Sequence, residues 1–170
     1  MSKTLNLVLV LHSHQPVGNF DHVIEQSYDE CYLPFLREFR NVPEVKVSLH
    51  YSGCLLEWIE AHKPEYFDLL RAGVEDGQFE IVGGAMQEPI LTMLPARDRA
   101  GQLEWRARYV EDRFGVRPSS MWLAERIWEQ SLVSDIAPRG YRACCLDDSH
   151  FKNAGYTDEQ LVGGFLAEDQ

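Results

Sequence analysis

Aliphatic runs alternate along the chain with longer stretches in which apolar positions recur every three or four residues. Leu5–His12 is a near-continuous aliphatic run, the pattern of a parallel strand covered on both faces. Tyr28, Cys31, Tyr32, Phe35, Leu36 and Phe39 then fall on one face of a helix predicted over 27–40. Val45–Tyr51 reads as a second strand. A helical segment carrying Leu55, Leu56 and Ile59 follows it, and Pro64 opens another with Phe67, Leu70 and Val74. Phe79–Gly83 is a third strand, and Ala100, Leu103, Ala107, Val110 and Phe114 stripe a helix over 97–114. Met121–Ala124, a short helix over 130–137 and Tyr141–Leu146 complete the series.

Five β units separated by helices imply an α/β chain with a parallel sheet and right-handed crossovers. Two closures fit: an open doubly wound sheet, or part of a β/α barrel. No G-x-G-x-x-G or G-x-x-x-x-G-K-[ST] follows any strand, so the nucleotide-binding open sheets lose support. The 170 residues suffice for one domain with one core, and no repeat or linker suggests a second.

Charge narrows the partners. A formal net charge of −11 disfavours nucleic acid and anionic lipid and suits a neutral or cationic ligand. Cys31, Cys54, Cys144 and Cys145 form no C-x-x-C pair, which points to reduced, buried thiols in a cytoplasmic protein. The Leu5–Leu11 run is too short for a membrane span and lacks a cleavage site, so it is read as a strand rather than a signal peptide.

In β/α folds the loops after the strands converge on one face, and polar residues gather there. Strand one ends in His12-Ser13-His14-Gln15, strand two in His50-Tyr51-Ser52, and strand three runs through Glu80 into Gly83-Gly84. Strand four ends Glu125-Arg126-Ile127-Trp128, and strand five Asp147-Asp148-Ser149-His150. Alternation puts His12 and His14 on one face, and Ser48 and His50 on another polar face opposite Val47 and Leu49.

Several chemistries fit these groups. His12-x-His14 suits a divalent metal, with Asp147 or Asp148 as further ligands of a metal-dependent hydrolase. It equally suits hydrogen bonding to a sugar, or a histidine satisfied by its neighbours. Glu125, flanked by Trp122 and Trp128 and followed by Arg126, has the makings of a partly desolvated, ionised nucleophile with aromatic surface for pyranose rings. The bland alternative is a Glu–Arg ion pair beside core tryptophans. Glu80 fits a barrel-interior salt bridge as well as a site. Asp147-Asp148 fits a helix cap or a solvated loop, and Gly83-Gly84 a close backbone approach or positive φ. A non-catalytic carbohydrate-binding module is a third reading of the whole chain.

Three stretches, HSHQPVGNFD (12–21), GQFEIVGGAMQEP (77–89) and WLAERIWE (122–129), resemble motifs of the family 57 glycoside hydrolases in order and spacing. A fourth, LDDSHFKNAG (146–155), is similar to the branch holding α-amylases and 4-α-glucanotransferases. The resemblance implies a (β/α)7 barrel, of which this would be the N-terminal portion, and retaining chemistry on α-1,4-glucans or maltooligosaccharides. It implies Glu125 as nucleophile, with His12, His14, Glu80, Arg126 and Trp122 contacting sugar or orienting the carboxylate. No cofactor or catalytic metal is implied. The family's acid/base aspartate belongs to a later motif, and retention needs a second carboxyl about 5–5.5 Å from the first. The 170 residues alone are therefore expected to turn over little substrate.

Overall fold

The computed structural model describes residues 7–168. The chain has an α/β fold built as two compact units, each with a three-stranded parallel sheet. The first unit takes residues up to 82 and 112–116; the second takes 83–111 and 117 onward.

In the first unit, β1 (Val10–Ser13), β2 (Val47–Tyr51) and β3 (Phe79–Ile81) lie in that order. Leu5 and Asn6 of the predicted first strand lie outside the described residues. Leu7 and Val8 are exposed and precede the ladder, so the run is not the doubly covered strand its composition suggests. β1 pairs with β2 alone, from Val10 onward, and that ladder leaves Leu7 and Val8 without a paired strand among the described residues. The predicted helix over 27–40 is longer, and it changes pitch midway. α1 (Asp21–Ser27) runs through a π-helical turn, Tyr28–Tyr32, into α2 (Leu33–Arg40). The wider turn inserts a residue, which shifts the buried positions to Ile24, Tyr28 and Leu36 and leaves Cys31 exposed.

α3 (Gly53–His62) and α4 (Pro64–Glu75) match the sequence pattern, with Pro64 at the first helical position, where its missing N–H costs nothing. α4 packs on β3 through Gly73. A Cβ there would lie 2.1 Å from the Phe79 ring.

The predicted third strand is two strands. β3 stops at Ile81, and β4 (Gly83–Gly84) joins the second sheet in the order β4, β5 (Ser120–Trp122), β6 (Ala143–Cys144). Gly84 has φ 132°, a backbone state open to glycine. Gly83 leaves the space that the Tyr141 ring fills, and Tyr141 Oη accepts from Gly84 N at 3.3 Å. Close approach and positive φ are thus both present at this pair.

α5 (Ala96–Phe114) contributes Leu103 to the second unit's core, with Ala85, Leu91, Met121, Leu123, Leu132, Ile136 and Tyr141. Arg106 is fully buried on the same helix. Loss of hydration pushes its guanidinium down to about 10, while nearby Tyr141, Tyr109 and Glu88 favour the charge. The helix predicted over 130–137 is a short composite centred on α6 (Val133–Ile136).

All four cysteines are free thiols, but they are not all buried: Cys31 and Cys145 are exposed. Cys144 packs against the second unit's core, and burial pushes its thiol up to about 12. At pH 8 a disulfide-exchange reagent is expected to modify Cys31 and Cys145 well before Cys144, as mapped by peptide mass spectrometry. Equal rates would contradict that packing.

Candidate active site

Parallel pairing sets the histidine row of the first unit. His12 of β1 is in register with His50 of β2, and their side chains share a face. The rings stack with centroids 4.9 Å apart, and Nδ1 of one meets Nδ1 of the other at 2.8 Å. His14, two residues on, stacks against His12 at 5.8 Å. His50 is buried and His12 and His14 are exposed, so the row runs from interior to surface. His50 was not among the predicted site residues, although alternation through Ser48 had placed it on the polar face.

Gln15 anchors the loop after β1. It is buried, its backbone N–H donates to Ser52 Oγ, and Ser52 Oγ donates back to the Gln15 carbonyl, both at 3.1 Å. Its amide donates to Tyr32 Oη at 2.9 Å and accepts from Asn19 at 2.6 Å. The chain leaving the histidines is thereby tied to α3's start and to the π turn.

Glu80 occupies a lower row. It is in register with Ser48, whose hydroxyl donates to it at 2.6 Å, and Ser48 is in register with Val10. That is two residues short of His12 and His50, roughly 6–7 Å along the strands. With Lys46, Ser48 and Gln78, Glu80 lines an open cleft of about 290 Å³.

The second unit carries Trp122, Glu125 and Arg126. β5 ends at half-buried Trp122, and a tight turn over Ala124–Arg126 follows. Glu125 and Arg126 both have left-handed backbone, φ 53° and 52°. The remaining non-glycine residue of this kind among the described residues is Glu88, φ 48°, which follows β4. L-residues pay of order 1–2 kcal/mol for such a conformation. All three therefore concentrate strain just beyond the ends of two parallel strands. Glu88 is a candidate that the sequence reading passed over, since nothing in a linear motif reports φ.

The turn brings its side chains out. Glu125 is exposed, so the partial desolvation expected from its tryptophan neighbours is not what the described residues provide. Trp128 packs against the core. Arg126 pairs with Asp147, Nε to Oδ2 at 3.5 Å, rather than simply lying beside Glu125. Asp147 also caps α7 (Asp148–Asn153), accepting from Ser149 N at 3.1 Å, as the cap reading anticipated. The Ser149 bonds and Arg126 hold the Asp147 carboxyl below its usual range. Asp148 pairs with Lys152 at 2.8 Å. With these commitments, neither aspartate resembles a carboxylate kept for a metal.

The profile described as Glycosyl hydrolase family 57 matches residues 8–169. The chain belongs to glycosyl hydrolase family 57. Relatives agree along its length. It is 44% identical over 170 residues to alpha-amylase 1 of Dictyoglomus thermophilum, covering all of this chain and 25% of that protein. It is 41% identical to the 4-alpha-glucanotransferase of Thermococcus litoralis, over 97% of this chain and 25% of that one. The crystal structure of the Thermococcus litoralis 4-alpha-glucanotransferase superposes with a TM-score of 0.87 at 42% identity, over 91% of this chain and 24% of that chain. This family 57 chain thus spans about a quarter of the length of the curated relatives it matches. Among the described residues, no helix is long and apolar enough to cross a membrane.

Proposed function

We propose that the whole protein is a retaining glycosidase or transglycosidase acting on α-1,4-glucans, with Glu125 as its nucleophile. The observation that carries the reading is the Glu125-Arg126 turn. Two consecutive strained residues hold a carboxylate outside the end of a parallel strand, in a chain whose relatives are an α-amylase and a 4-α-glucanotransferase.

In this reading a Glu125 oxygen attacks the anomeric carbon and the glycosidic C–O bond breaks. The departing glucan oxygen takes a proton from an acid belonging to the family's later motif, leaving a covalent glycosyl ester. Water, or the 4-hydroxyl of a second glucan, then attacks the ester with that same group acting as base. His12 and His14 supply ring nitrogens for sugar hydroxyls, Trp122 an aromatic face, and Arg126 and Glu80 polar contacts. We assign the two sheets to a (β/α)7 barrel of one catalytic domain on the same family resemblance, and place the protein in the cytoplasm.

The test is the stereochemistry of maltoheptaose conversion by the protein made from the whole gene, followed by proton NMR from the first minutes. The α-anomer is expected first, with oligosaccharides longer than seven units appearing if transfer dominates. Initial β-anomer would sink the covalent mechanism. The 170 residues alone are expected to give little or no product.

A further inference from the structure

A nucleophile on a strained turn needs something to hold the strain, and in this chain one short helix supplies it. Arg126 is fastened at three of its own atoms. Its backbone N–H donates to the Leu123 carbonyl at 2.8 Å. Its Nε faces Asp147 Oδ2 at 3.5 Å, and its carbonyl accepts from His150 Nε2 at 2.8 Å. Asp147 is the N-cap of α7 and His150 lies one turn along it, where His150 N also reaches the Asp147 carbonyl at 3.2 Å. Both contacts therefore come from the same helical turn.

We propose that His150 is a positioning residue for Glu125. Its hydrogen bond fixes the Arg126–Ile127 peptide, Asp147 fixes the Arg126 side chain, and the Leu123 contact fixes the Glu125–Arg126 peptide. With both peptides flanking Arg126 immobilised, its left-handed backbone is held, the Glu125–Arg126 peptide cannot turn, and the Glu125 carboxylate is presented in one direction. Either protonation state of His150 with a proton on Nε2 can donate, so the contact asks for an N–H donor of this reach rather than for a charge. The role rests on the reading of Glu125 as nucleophile.

The experiment uses the full-length protein, with His150→Phe, which keeps a flat ring and removes the donor, and His150→Gln, which keeps an N–H. A 5-fluoro-α-glucosyl fluoride reports the nucleophile alone. Glu125 Oε bonds to the anomeric carbon, the C–F bond breaks and fluoride leaves with its electron pair, without an acid. Ester on Glu125 is timed by mass spectrometry, and amide hydrogen exchange at Arg126 and Ile127 is measured in parallel.

His150→Phe is expected to slow labelling at least tenfold and to speed exchange at both amides, and His150→Gln to restore most of both. Labelling of His150→Phe at the parent rate overturns the proposal, as does a slow rate that Gln leaves unimproved. If the parent itself takes no label while exchange still responds to Phe and recovers with Gln, the clamp stands and the nucleophile assignment fails. Should His150→Phe not fold, Asp147→Asn, which keeps the cap and removes the charge facing Arg126, is expected to slow labelling severalfold. An unchanged rate there would also overturn it.

Discussion

Glu125→Gln in the full-length protein is expected to lower turnover of maltooligosaccharides on the order of 10⁴-fold or more, with little change in folding. The amide is nearly isosteric but is a poor nucleophile, so the covalent step loses its reacting atom. Because Glu125 is exposed and stands on a turn held by other residues, stability should stay within about 0.5 kcal/mol of the parent. Steady-state assay and urea unfolding together check both halves. A variant that is fully active would remove Glu125 from the chemistry. One that is inactive because it unfolds would give the residue a structural role instead.

The second large effect falls on Gly84. A Cβ there would lie 2.5 Å from the Trp122 carbonyl oxygen, a backbone atom in a paired strand, and the residue would have to keep φ 132°. Neither flexible side chains nor a new rotamer relieves that contact. Gly84→Ala is expected to cost about 2–4 kcal/mol in unfolding free energy, combining backbone strain with a lost register. Gly84 pairs with Trp122, three residues before Glu125, so activity should fall as well. Gly101→Ala is the control. A Cβ there meets nothing within 4 Å and the site is helical, so it should be neutral or slightly stabilising. Equal melting of the two variants would contradict the account.

The sequence read best where one signal decided the outcome. Leu55, Leu56 and Ile59 repeat at helical spacing and are all fully buried, and Pro64 starts its helix where predicted. Polar residues after aliphatic runs located the ends of the first two strands, because alternation is a local property of the backbone. The misses came from properties that a one-dimensional pattern does not carry. Leu7 and Val8 are as aliphatic as any core strand, yet they lie outside the ladder and exposed. The π turn shifted a helix face by one residue and put Cys31 outside. The third strand was drawn as one run although the ladder divides it between two sheets around Val82, and the fifth, expected over Tyr141–Leu146, is a strand only at Ala143–Cys144.

Within the site, residue identities were legible and their partnerships were not. Arg126 was expected to serve its neighbour Glu125, and Asp147 to be a cap or a ligand. The structure joins the two, since a pairing over 21 residues depends on a turn whose φ values no motif records. His50 was visible by parity but had no claim until parallel register placed it opposite His12.

That register has a consequence in tautomers. An Nδ1-to-Nδ1 contact needs one proton and one lone pair, so His12 and His50 cannot be the same chemical species while they touch. Between neutral rings, the one that donates through Nδ1 must offer a lone pair at Nε2, and the one that accepts must carry its proton there. The hydrogen-bonding polarity that exposed His12 turns outward is therefore the complement of a choice made by a ring that water scarcely reaches.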